Sequence, residues 1–321
     1  MISVVNGRLA DIPKPGPSLP DVLKHPDYST FMAKLSALPG PPITIRNEFD
    51  STKPSPPLDF EFMEDLKLGE GVPEWDSSAS FGCSCGLGGC ENNPECECLE
   101  KLDMDESHSP FAELSYTKSQ RLCPGHCNTK IIYECNPVCD CGPNCGNKVV
   151  GRGRQVPLEI FMTPENKGWG LRCPEALHKG TFIGKYLGEV VTHEEATKRA
   201  IDGDTRGSSY LFDLDFFTEG HEEDGDEGRE VENYSIDGRL CGSYTRFINH
   251  SCDPNTDVYV VVSYRRDSIV YDLAMFTNRD LQPWEEITFS YTEGPAPVGP
   301  EGKTKTWPCH CGASNCRGEL W

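Results

Sequence analysis

Cysteines dominate the residues of this sequence that could do chemistry. Nine of the 17 form a five-plus-four array, and these are Cys83, Cys85, Cys90, Cys96, Cys98, Cys135, Cys139, Cys141 and Cys145. Structural zinc sites take four thiolates. Nine ligands complete three such shells if three sulfurs each bridge two ions, and the Cys-x-Cys pairs allow one short loop to serve neighbouring ions. The array therefore predicts a zinc cluster, with independent single-zinc ribbons or metal-free buried thiols as the alternatives.

A second group of cysteines stands near the C-terminus, where Cys309, Cys311 and Cys316 leave a tetrahedral shell one ligand short. Cys252, in the segment Asn249-His-Ser-Cys252, is the best candidate for the fourth ligand. A zinc ion held this way would join the tail to an internal loop, so the tail is expected to help build the active site. Together with the array, these thiolates predict about four zinc ions per chain.

The remaining four cysteines receive simpler interpretations. Cys123 and Cys127 are expected to be free thiols, although His126 could complete another metal site with them. Cys173 and Cys241 are expected to be small core residues. The sequence shows no signal-peptide pattern, and reducing compartments disfavour disulfides, so clustered cysteines favour metal ligation.

Composition restricts the class of protein. The chain has 321 residues, 36% of them hydrophobic, with 31 Gly and 26 Pro, which favours a loop-rich and strand-rich architecture over a helical bundle. No apolar run reaches the roughly 18–20 residues of a bilayer span, so we expect a soluble, intracellular protein with no membrane partner. The net charge of −21 disfavours direct nucleic-acid binding and attracts basic partners, although it also simply confers solubility.

The elements that must position these residues are mainly strands. Apolar runs bounded by Gly, Pro, Asn and Asp predict strands at 158–163, 182–191, 210–215, 257–264, 269–276 and 287–291, with 43–46 as a further candidate. A capping box from Thr192 to Glu195 predicts a helix over 194–201. The Pro-rich residues 1–42 are expected to be a flexible, poorly helical flank, and the acidic stretch 219–232 a solvated loop.

Four short segments of the second half carry recognisable chemistry. They are Gly168-Trp-Gly170, Tyr186-Leu-Gly-Glu189, Arg246-Phe-Ile-Asn-His-Ser-Cys252 and Glu286-Ile-Thr-Phe-Ser-Tyr291. Together with the two cysteine groups, in this order, they resemble the signature segments of SET-domain lysine methyltransferases with pre-SET and post-SET zinc modules. The order of modules, with no chromodomain ahead of the pre-SET module, resembles the fungal enzymes that act on lysine-9 of histone H3.

The resemblance implies a fold and a division into domains. The fold would be mainly β, a SET fold of short sheets with a knot-like crossing of the Asn249 and Tyr291 segments. A loop-rich zinc-cluster module and a small C-terminal zinc site would complete it. The implied limits are the flank at 1–42, a pre-SET region at 43–153 with its zinc cluster at 83–145, a SET catalytic domain at 156–292 and a post-SET module at 305–321.

The resemblance also implies a site for S-adenosylmethionine, whose sulfonium cation needs carbonyl oxygens and aromatic faces around it. The residues that it assigns to this site are Lys167, Gly168, Trp169, Gly170, Tyr210, Arg246, Asn249, His250 and, as a lid, Trp321. Taken singly, Gly168 and Gly170 would indicate a hairpin turn and His250 a core histidine. Arg246 also fits a structural charge. The surrounding motifs favour the cofactor.

The implied reaction is an in-line methyl transfer to a lysine amine. The amine must be neutral to attack, although the pKa of lysine is about 10.4 in water. A narrow apolar channel and a nearby sulfonium charge both disfavour the ammonium form. By resemblance, the hydroxyl of Tyr291 is the catalytic group, Tyr186 hydrogen-bonds the amine, and Phe289 and Phe212 line the channel. Phe289 lacks a hydroxyl that would hold a water and restrain the amine, which predicts methylation up to trimethyl-lysine.

Two features depart from the family pattern. Ser290 stands where relatives usually have Asp, which affects the expected hydrogen bonding near the channel mouth. The acidic stretch 219–232 differs in length and sequence from that of relatives. Asp213 and Asp215 are the candidate acids for binding a basic peptide tail.

The leading hypothesis is therefore a zinc-dependent methyltransferase for histone H3. The resemblance implies a place in heterochromatin formation, in the nucleus and on chromosomes, with recruitment by chromatin-associated proteins. The alternatives are a methyltransferase for a non-histone protein and a zinc scaffold that binds chromatin without catalysis. Intact Tyr186, Asn249, His250 and Tyr291 argue against a silent scaffold, and the pI near 4.7 argues against a nucleic-acid-binding zinc protein.

Overall fold

The computed structural model describes residues 12, 14–74, 82–93, 96, 98, 114–124, 131–164, 167–202, 210–216, 233–263, 270–292 and 306–320. Within these ranges the fold is mainly β, as the sequence predicts. Three α-helices accompany the strands, and they are α1 (Pro20–Lys24), α2 (Pro26–Ser36) and α3 (His193–Asp202). No helix of the described ranges is long and apolar enough to cross a membrane.

The strands form three larger sheets and two small ones. Their bounds are β1 (Ile43–Arg46), β2 (Glu61–Phe62), β3 (Lys67–Leu68), β4 (Ile131–Tyr133), β5 (Leu158–Met162), β6 (Trp169–Arg172), β7 (Phe182–Tyr186), β8 (Glu189–Thr192), β9 (Leu211–Asp213), β10 (Tyr234–Asp237), β11 (Cys241–Gly242), β12 (Asn249–His250), β13 (Thr256–Val262), β14 (Asp272–Thr277), β15 (Glu286–Phe289), β16 (Trp307–Pro308) and β17 (Glu319–Leu320). The larger sheets have the orders β1-β5-β6-β15-β12, β3-β8-β10-β9 and β4-β13-β14-β7. The small sheets pair β11 with β2 and β16 with β17.

Buried apolar sequences form the central strands. All five residues of β5 are buried, and β13 buries its last four. Both strands are rich in aliphatic and β-branched residues, which pack well on a pleated surface. Near-continuous apolar strands of this kind are typical of sheets that are covered on both faces.

One predicted strand is split into two. The run 182–191 forms β7 and β8, because the chain passes from one sheet to another at Leu187 and Gly188. β7 pairs with β14, and β8 pairs with β10. A Cβ at Gly188 would collide with the carbonyl group of Asp237, so the crossing depends on glycine.

The helices confirm one expectation and correct another. The predicted helix at 194–201 is α3, and the hydroxyl of Thr192 accepts the backbone N–H of Glu195 at 3.3 Å, as a capping box requires. The expectation of a poorly helical flank is wrong for residues 20–36, which form α1 and α2. Both helices begin at a proline, which suits the first helical position because its N–H needs no partner. Phe31 and Leu35 of α2 are buried in the main core.

The short strand β12 places two segments of the second half side by side. It runs parallel to β15, with Asn249 opposite Thr288 and His250 opposite Phe289. The backbone N–H of Ser251 donates to the carbonyl oxygen of Phe289 at 3.0 Å. The Asn249 and Tyr291 segments are therefore adjacent, as expected.

A buried carboxylate connects β1, β5 and β6. Glu159 is 2% exposed and accepts hydrogen bonds from Arg46 Nε at 2.8 Å and from Arg172 Nη2 at 2.6 Å. Arg172 also stacks on the ring of Phe161, with its guanidinium carbon 4.0 Å from the ring centroid. The N-terminal strand is thus joined to the central sheet by charge as well as by backbone pairing.

Glu159→Gln is expected to lower the free energy of unfolding by about 3 kcal/mol, because it leaves two guanidinium groups beside a neutral side chain. Urea unfolding of the zinc-loaded protein measures this change. Lys198→Gln is the control, because Lys198 forms an exposed pair with Glu195 and should change stability little. An equal effect of the two substitutions would contradict the structural role of Glu159.

Candidate active site and metal centres

Four aromatic side chains predicted to line a channel form two pairs. Phe289 and Tyr291 have ring centroids 4.8 Å apart, and Tyr186 and Phe212 have ring centroids 5.7 Å apart. All four belong to or pack against the same hydrophobic cluster. The predicted channel residues therefore share one cluster as two aromatic pairs.

Tyr291 is fixed at both ends by the neighbouring strand. Its hydroxyl donates to the carbonyl oxygen of Ile248 at 2.7 Å, and its backbone N–H donates to His250 Nδ1 at 3.0 Å. Burial raises the pKa of the Tyr291 phenol, and burial and then the charge of Arg317 lower the pKa of His250 to about 4. Both side chains are therefore neutral near pH 7, and the phenol is a hydrogen-bond donor.

A hydrogen bond to a backbone carbonyl orients Tyr186, and a glycine leaves room for its hydroxyl. Its ring is 4% exposed, and its hydroxyl donates to the carbonyl oxygen of Tyr210 at 2.7 Å. A Cβ at Gly238 would lie 2.7 Å from this hydroxyl, so the absence of a side chain there allows the close approach. Burial raises the pKa of Tyr186, which keeps its phenol protonated.

The Gly-Trp-Gly segment forms a tight corner at the start of β6. Gly168 has a φ of +83°, a conformation that favours glycine, and its carbonyl oxygen accepts hydrogen bonds from the backbone N–H and the hydroxyl of Thr163 at 2.9 and 2.8 Å. Among the described residues, chain neighbours apart, no atom lies within 4 Å of the place that a Cβ of Gly168 would occupy. This side of the corner is therefore open instead of being packed against other side chains.

Lys167 and Asn249 meet at a residue to which the sequence analysis assigned no role. Glu286 accepts Lys167 Nζ at 2.7 Å on one carboxylate oxygen and Asn249 Nδ2 at 2.9 Å on the other. Asn249 Nδ2 also lies 3.3 Å from the carbonyl oxygen of Trp169. Glu286 opens the segment that ends at Tyr291, and that position was the only signal in the sequence.

Arg246 contacts protein groups through its guanidinium. Its Nε donates to the carbonyl oxygen of Gly238 and its Nη2 to that of Arg239, both at 3.1 Å. The guanidinium carbon lies 4.3 Å from the ring centroid of Phe60 and 4.6 Å from that of Tyr210. This arrangement favours the structural interpretation of Arg246, through support of Tyr210.

Eight of the nine cysteines of the array form three overlapping groups of sulfur atoms. Within each group all sulfurs lie within 4.8 Å of one another, and the groups are Cys83, Cys90, Cys135 and Cys141; Cys83, Cys98, Cys135 and Cys139; and Cys83, Cys85, Cys90 and Cys96. Cys83 is common to all three groups, and Cys90 and Cys135 are each in two. Cys145 lies 4.0 Å from the sulfur of Cys135. Shared sulfurs are what a bridged cluster needs.

The spacing of these sulfurs fits zinc. A tetrahedral zinc thiolate shell has sulfur–sulfur separations of about 3.8 Å, and the sulfurs of Cys83 and Cys90 are 3.5 Å apart, while those of Cys98 and Cys139 are 3.6 Å apart. Burial raises the pKa of the Cys90 thiol, so clustered thiolates need cations beside them. The described cysteines are all free of disulfides.

The second metal centre connects the tail to the candidate active site. The sulfurs of Cys252, Cys309, Cys311 and Cys316 lie within 4.8 Å of one another, which is the predicted fourfold set. The sulfur of Cys252 is also 3.4 Å from Nε2 of His250. One histidine therefore contacts both the sulfur group and the backbone of the tyrosine segment.

The other residues singled out in the sequence lie on the surface, in the core or outside the described residues. Asp213 and Asp215 are exposed, and Asp213 accepts the hydroxyl of Ser235 at 2.6 Å. Cys173 and Cys241 are buried, as expected of core residues. Trp321, His126 and Cys127 lie outside the described residues, as does the acidic stretch 219–232.

Comparison with known sequences identifies the modules. A SET domain model matches residues 168–292, and a Pre-SET motif model matches residues 36–148. The chain is 41% identical over 303 residues to a histone-lysine N-methyltransferase, H3 lysine-9 specific, of Schizosaccharomyces pombe; 91% of this chain and 57% of that protein are covered, so the chain spans little more than half of this relative. It is 36% identical to the H3 lysine-9 specific enzyme dim-5 of Neurospora crassa, with 87% of this chain and 88% of that protein covered.

Comparison with solved structures gives the same fold. The structure of the Neurospora SET domain protein DIM-5, a histone lysine methyltransferase, matches with a TM-score of 0.68 at 34% identity, over 80% of this chain and 98% of that chain. The structure of KRYPTONITE in complex with mCHH DNA, an H3(1-15) peptide and SAH matches with a TM-score of 0.69 at 28% identity, over 88% of this chain and 52% of that chain. The expected mainly β SET fold is thereby confirmed.

The sharing of sulfurs yields a prediction about metal content. Cys83→Ser is expected to remove more than about one zinc ion per chain, because this sulfur belongs to all three groups, whereas Cys85→Ser should remove about one ion at most. Elemental analysis of the purified variants measures both. Equal losses would mean that Cys83 does not bridge.

Proposed function

The chain belongs to the SET-domain family of histone-lysine N-methyltransferases, and from this premise we propose that it transfers methyl groups from S-adenosylmethionine to lysine-9 of histone H3, up to trimethyl-lysine. The observation that supports the proposal most is that the aromatic residues assigned to the channel belong to or pack against one hydrophobic cluster, against which Trp169 of the Gly-Trp-Gly corner also packs. A channel of this kind suits a long side chain with a small polar end. The H3 lysine-9 specificity of two relatives supports the choice of substrate.

The channel residues would prepare the amine of the substrate. Their apolar surfaces disfavour an ammonium ion, which lowers the pKa of the entering lysine. The hydroxyls of Tyr186 and Tyr291 both point at backbone carbonyls, so their oxygens stay available as acceptors for the hydrogens of the amine. Alignment of the amine lone pair with the methyl group then supplies much of the acceleration.

The methyl-donor site would lie at the Gly-Trp-Gly corner. When bound, S-adenosylmethionine supplies a methyl group on a positively charged sulfur. Carbonyl oxygens and aromatic rings suit that charge, and we assign the binding of the donor to Lys167, Gly168, Trp169, Gly170, Tyr210, Asn249 and His250, with Trp321 as the proposed lid. Arg246 would act behind Tyr210. KRYPTONITE, a structural neighbour, was solved with SAH bound, which supports this choice of ligand.

The sulfur groups would hold zinc. We propose that the array would hold three zinc ions, with Cys83, Cys90 and Cys135 as the residues common to more than one sulfur group, and that one more ion would be held by Cys252, Cys309, Cys311 and Cys316. The first three ions would stabilise the pre-SET region. The fourth would anchor the post-SET tail next to His250 and so close the site.

The proposed histone substrate suggests how the chain meets its target and where in the cell it acts. A histone H3 tail is basic, and the chain carries a net charge of −21, so long-range attraction favours their encounter. Asp213 and Asp215 are exposed near the channel strand β9 and are the proposed contacts for basic side chains of the tail. The action on chromatin implies a nuclear, chromosomal location, a part in heterochromatin formation and recruitment by chromatin-associated proteins. The domain limits given above stay predictions.

Mass spectrometry of histone H3 peptides incubated with the chain and S-adenosylmethionine tests the function directly. Sequential gain of up to three methyl groups on lysine-9 is expected, and a matched peptide with arginine at that position should gain none. Modification of other lysines only, or of non-histone proteins only, would contradict the proposed substrate.

Phe289→Tyr is expected to shift the product from trimethyl-lysine toward monomethyl- and dimethyl-lysine, because the added hydroxyl can hold a water that restrains the amine. The same mass spectrometry gives the product distribution. Phe49→Tyr is the control, because Phe49 is 56% exposed and lies outside the channel cluster. An unchanged distribution in Phe289→Tyr would show that this position does not limit the product.

A further inference from the structure

Glu286 lies between the two segments that form the candidate methyl-donor site. It is the first residue of β15 and stands opposite Arg172 of the antiparallel strand β6, whose first residues form the Gly-Trp-Gly corner. Its side chain is 20% exposed, and that of its partner Lys167 is 11% exposed. A carboxylate in this position is shielded enough for its hydrogen bonds to be stronger than those of a surface acid.

Both oxygens of this carboxylate have protein partners. One accepts Lys167 Nζ at 2.7 Å, and the other accepts Asn249 Nδ2 at 2.9 Å. Lys167 precedes the corner on β6, and Asn249 belongs to β12 on the far side of β15. One side chain therefore connects a cation and an amide that come from opposite neighbours of its own strand.

The contact fixes the orientation of the Asn249 amide. Nδ2 lies near two groups that only accept hydrogen bonds, the carboxylate of Glu286 and the carbonyl oxygen of Trp169 at 3.3 Å. A flipped amide would place an oxygen against both acceptors, so the flipped arrangement is excluded on electrostatic grounds. The oxygen Oδ1 of Asn249 is consequently the atom that the amide offers to a ligand.

The space beside Gly170 is too small for a side chain. A Cβ there would lie 3.0 Å from Oε1 of Glu286, and also 3.0 Å from ring and methyl carbons of Phe161 and Thr163. Such contacts are tighter than ordinary van der Waals contact. The small residue therefore leaves room for the carboxylate that orients Asn249, in addition to any room that it leaves for a ligand.

We propose that Glu286 is a positioning residue of the methyl-donor site, which aligns Lys167 and Asn249 so that Asn249 presents a hydrogen-bond acceptor to an N–H group of the donor molecule. The inference rests on the proposed function, since it concerns the same site. Glu286 acts through its two partners, because both of its oxygens are occupied by them. Its loss should therefore weaken binding of the donor and leave the peptide channel unaffected.

Isothermal titration of the full, zinc-loaded chain with S-adenosylhomocysteine tests this role without turnover. Glu286→Gln is expected to raise the Kd about tenfold, because an amide cannot accept from both Lys167 and Asn249. Glu286→Asp retains the charge but withdraws the carboxylate by one methylene, and it should also weaken binding. Glu194→Gln is the matched control, because Glu194 is exposed on α3 and outside the proposed site, so its Kd should equal that of the unsubstituted chain.

Kinetics separate positioning from general damage. At saturating S-adenosylmethionine, the KM for an H3 peptide should be unchanged in the Glu286 variants, with thermal midpoint and zinc content as in the unsubstituted chain. If Glu286→Gln fails to fold, the Asp variant decides the question. Normal binding of S-adenosylhomocysteine by a folded Glu286 variant overturns the inference alone, whereas no binding by the unsubstituted chain overturns the proposed function with it.

Discussion

The candidate site depends on the pairing of β12 with β15, two short strands that are distant in the sequence. The parallel ladder places Asn249 and His250 beside the segment that ends in Tyr291. A ladder this short has little stability by itself, so it needs support from its surroundings. Asn255 supplies part of it, because its side chain donates to the carbonyl oxygen of Glu286 at 2.8 Å and accepts the backbone N–H of Thr288 at 2.9 Å. The pairing of β12 with β15 therefore positions Asn249 of the proposed donor site, Tyr291 of the proposed channel, and His250, which contacts the sulfur of Cys252.

A sulfur-lined cluster takes the place of an apolar core at the nine-cysteine array. The buried cluster there consists of cysteines, with Leu114 as the one partly buried aliphatic side chain packed against it among the described residues. Thiols are small and bury little apolar area, and packed thiolates repel one another, so this module cannot gain stability from burial in the way that β5 and β13 do. Bound divalent cations would remove this repulsion, and folding of the module and metal binding would then be one process.

The sequence predicted those parts that depend on residue type and spacing. The cysteine groups, the strands and the helix capped by Thr192 follow from such local patterns. The assignment of Tyr186 and Phe289 to one channel came from the resemblance to a family. The break at Gly188 was missed because it arises from a change of pairing partner, which periodicity does not encode. The helices at 20–36 were missed because proline suggested extended chain, while burial of Phe31 depends on tertiary packing. Glu286 was overlooked since its importance lies in contacts across three strands.

The N-terminal helix α2 packs against aromatic residues that lead to the proposed channel. Phe31 of α2 packs edge-on against Phe62, with ring centroids 5.7 Å apart, and Phe62 packs against Phe60 at 5.1 Å. The guanidinium of Arg246 lies near three aromatic rings, those of Phe60, Tyr210 and Phe247. The carbonyl oxygen of Tyr210 in turn orients Tyr186. Cation–π attraction to these rings is stronger away from bulk water. α2 is therefore joined through packed rings to Arg246, and through Tyr210 to Tyr186, so this part of the flank belongs to the framework around the channel residues.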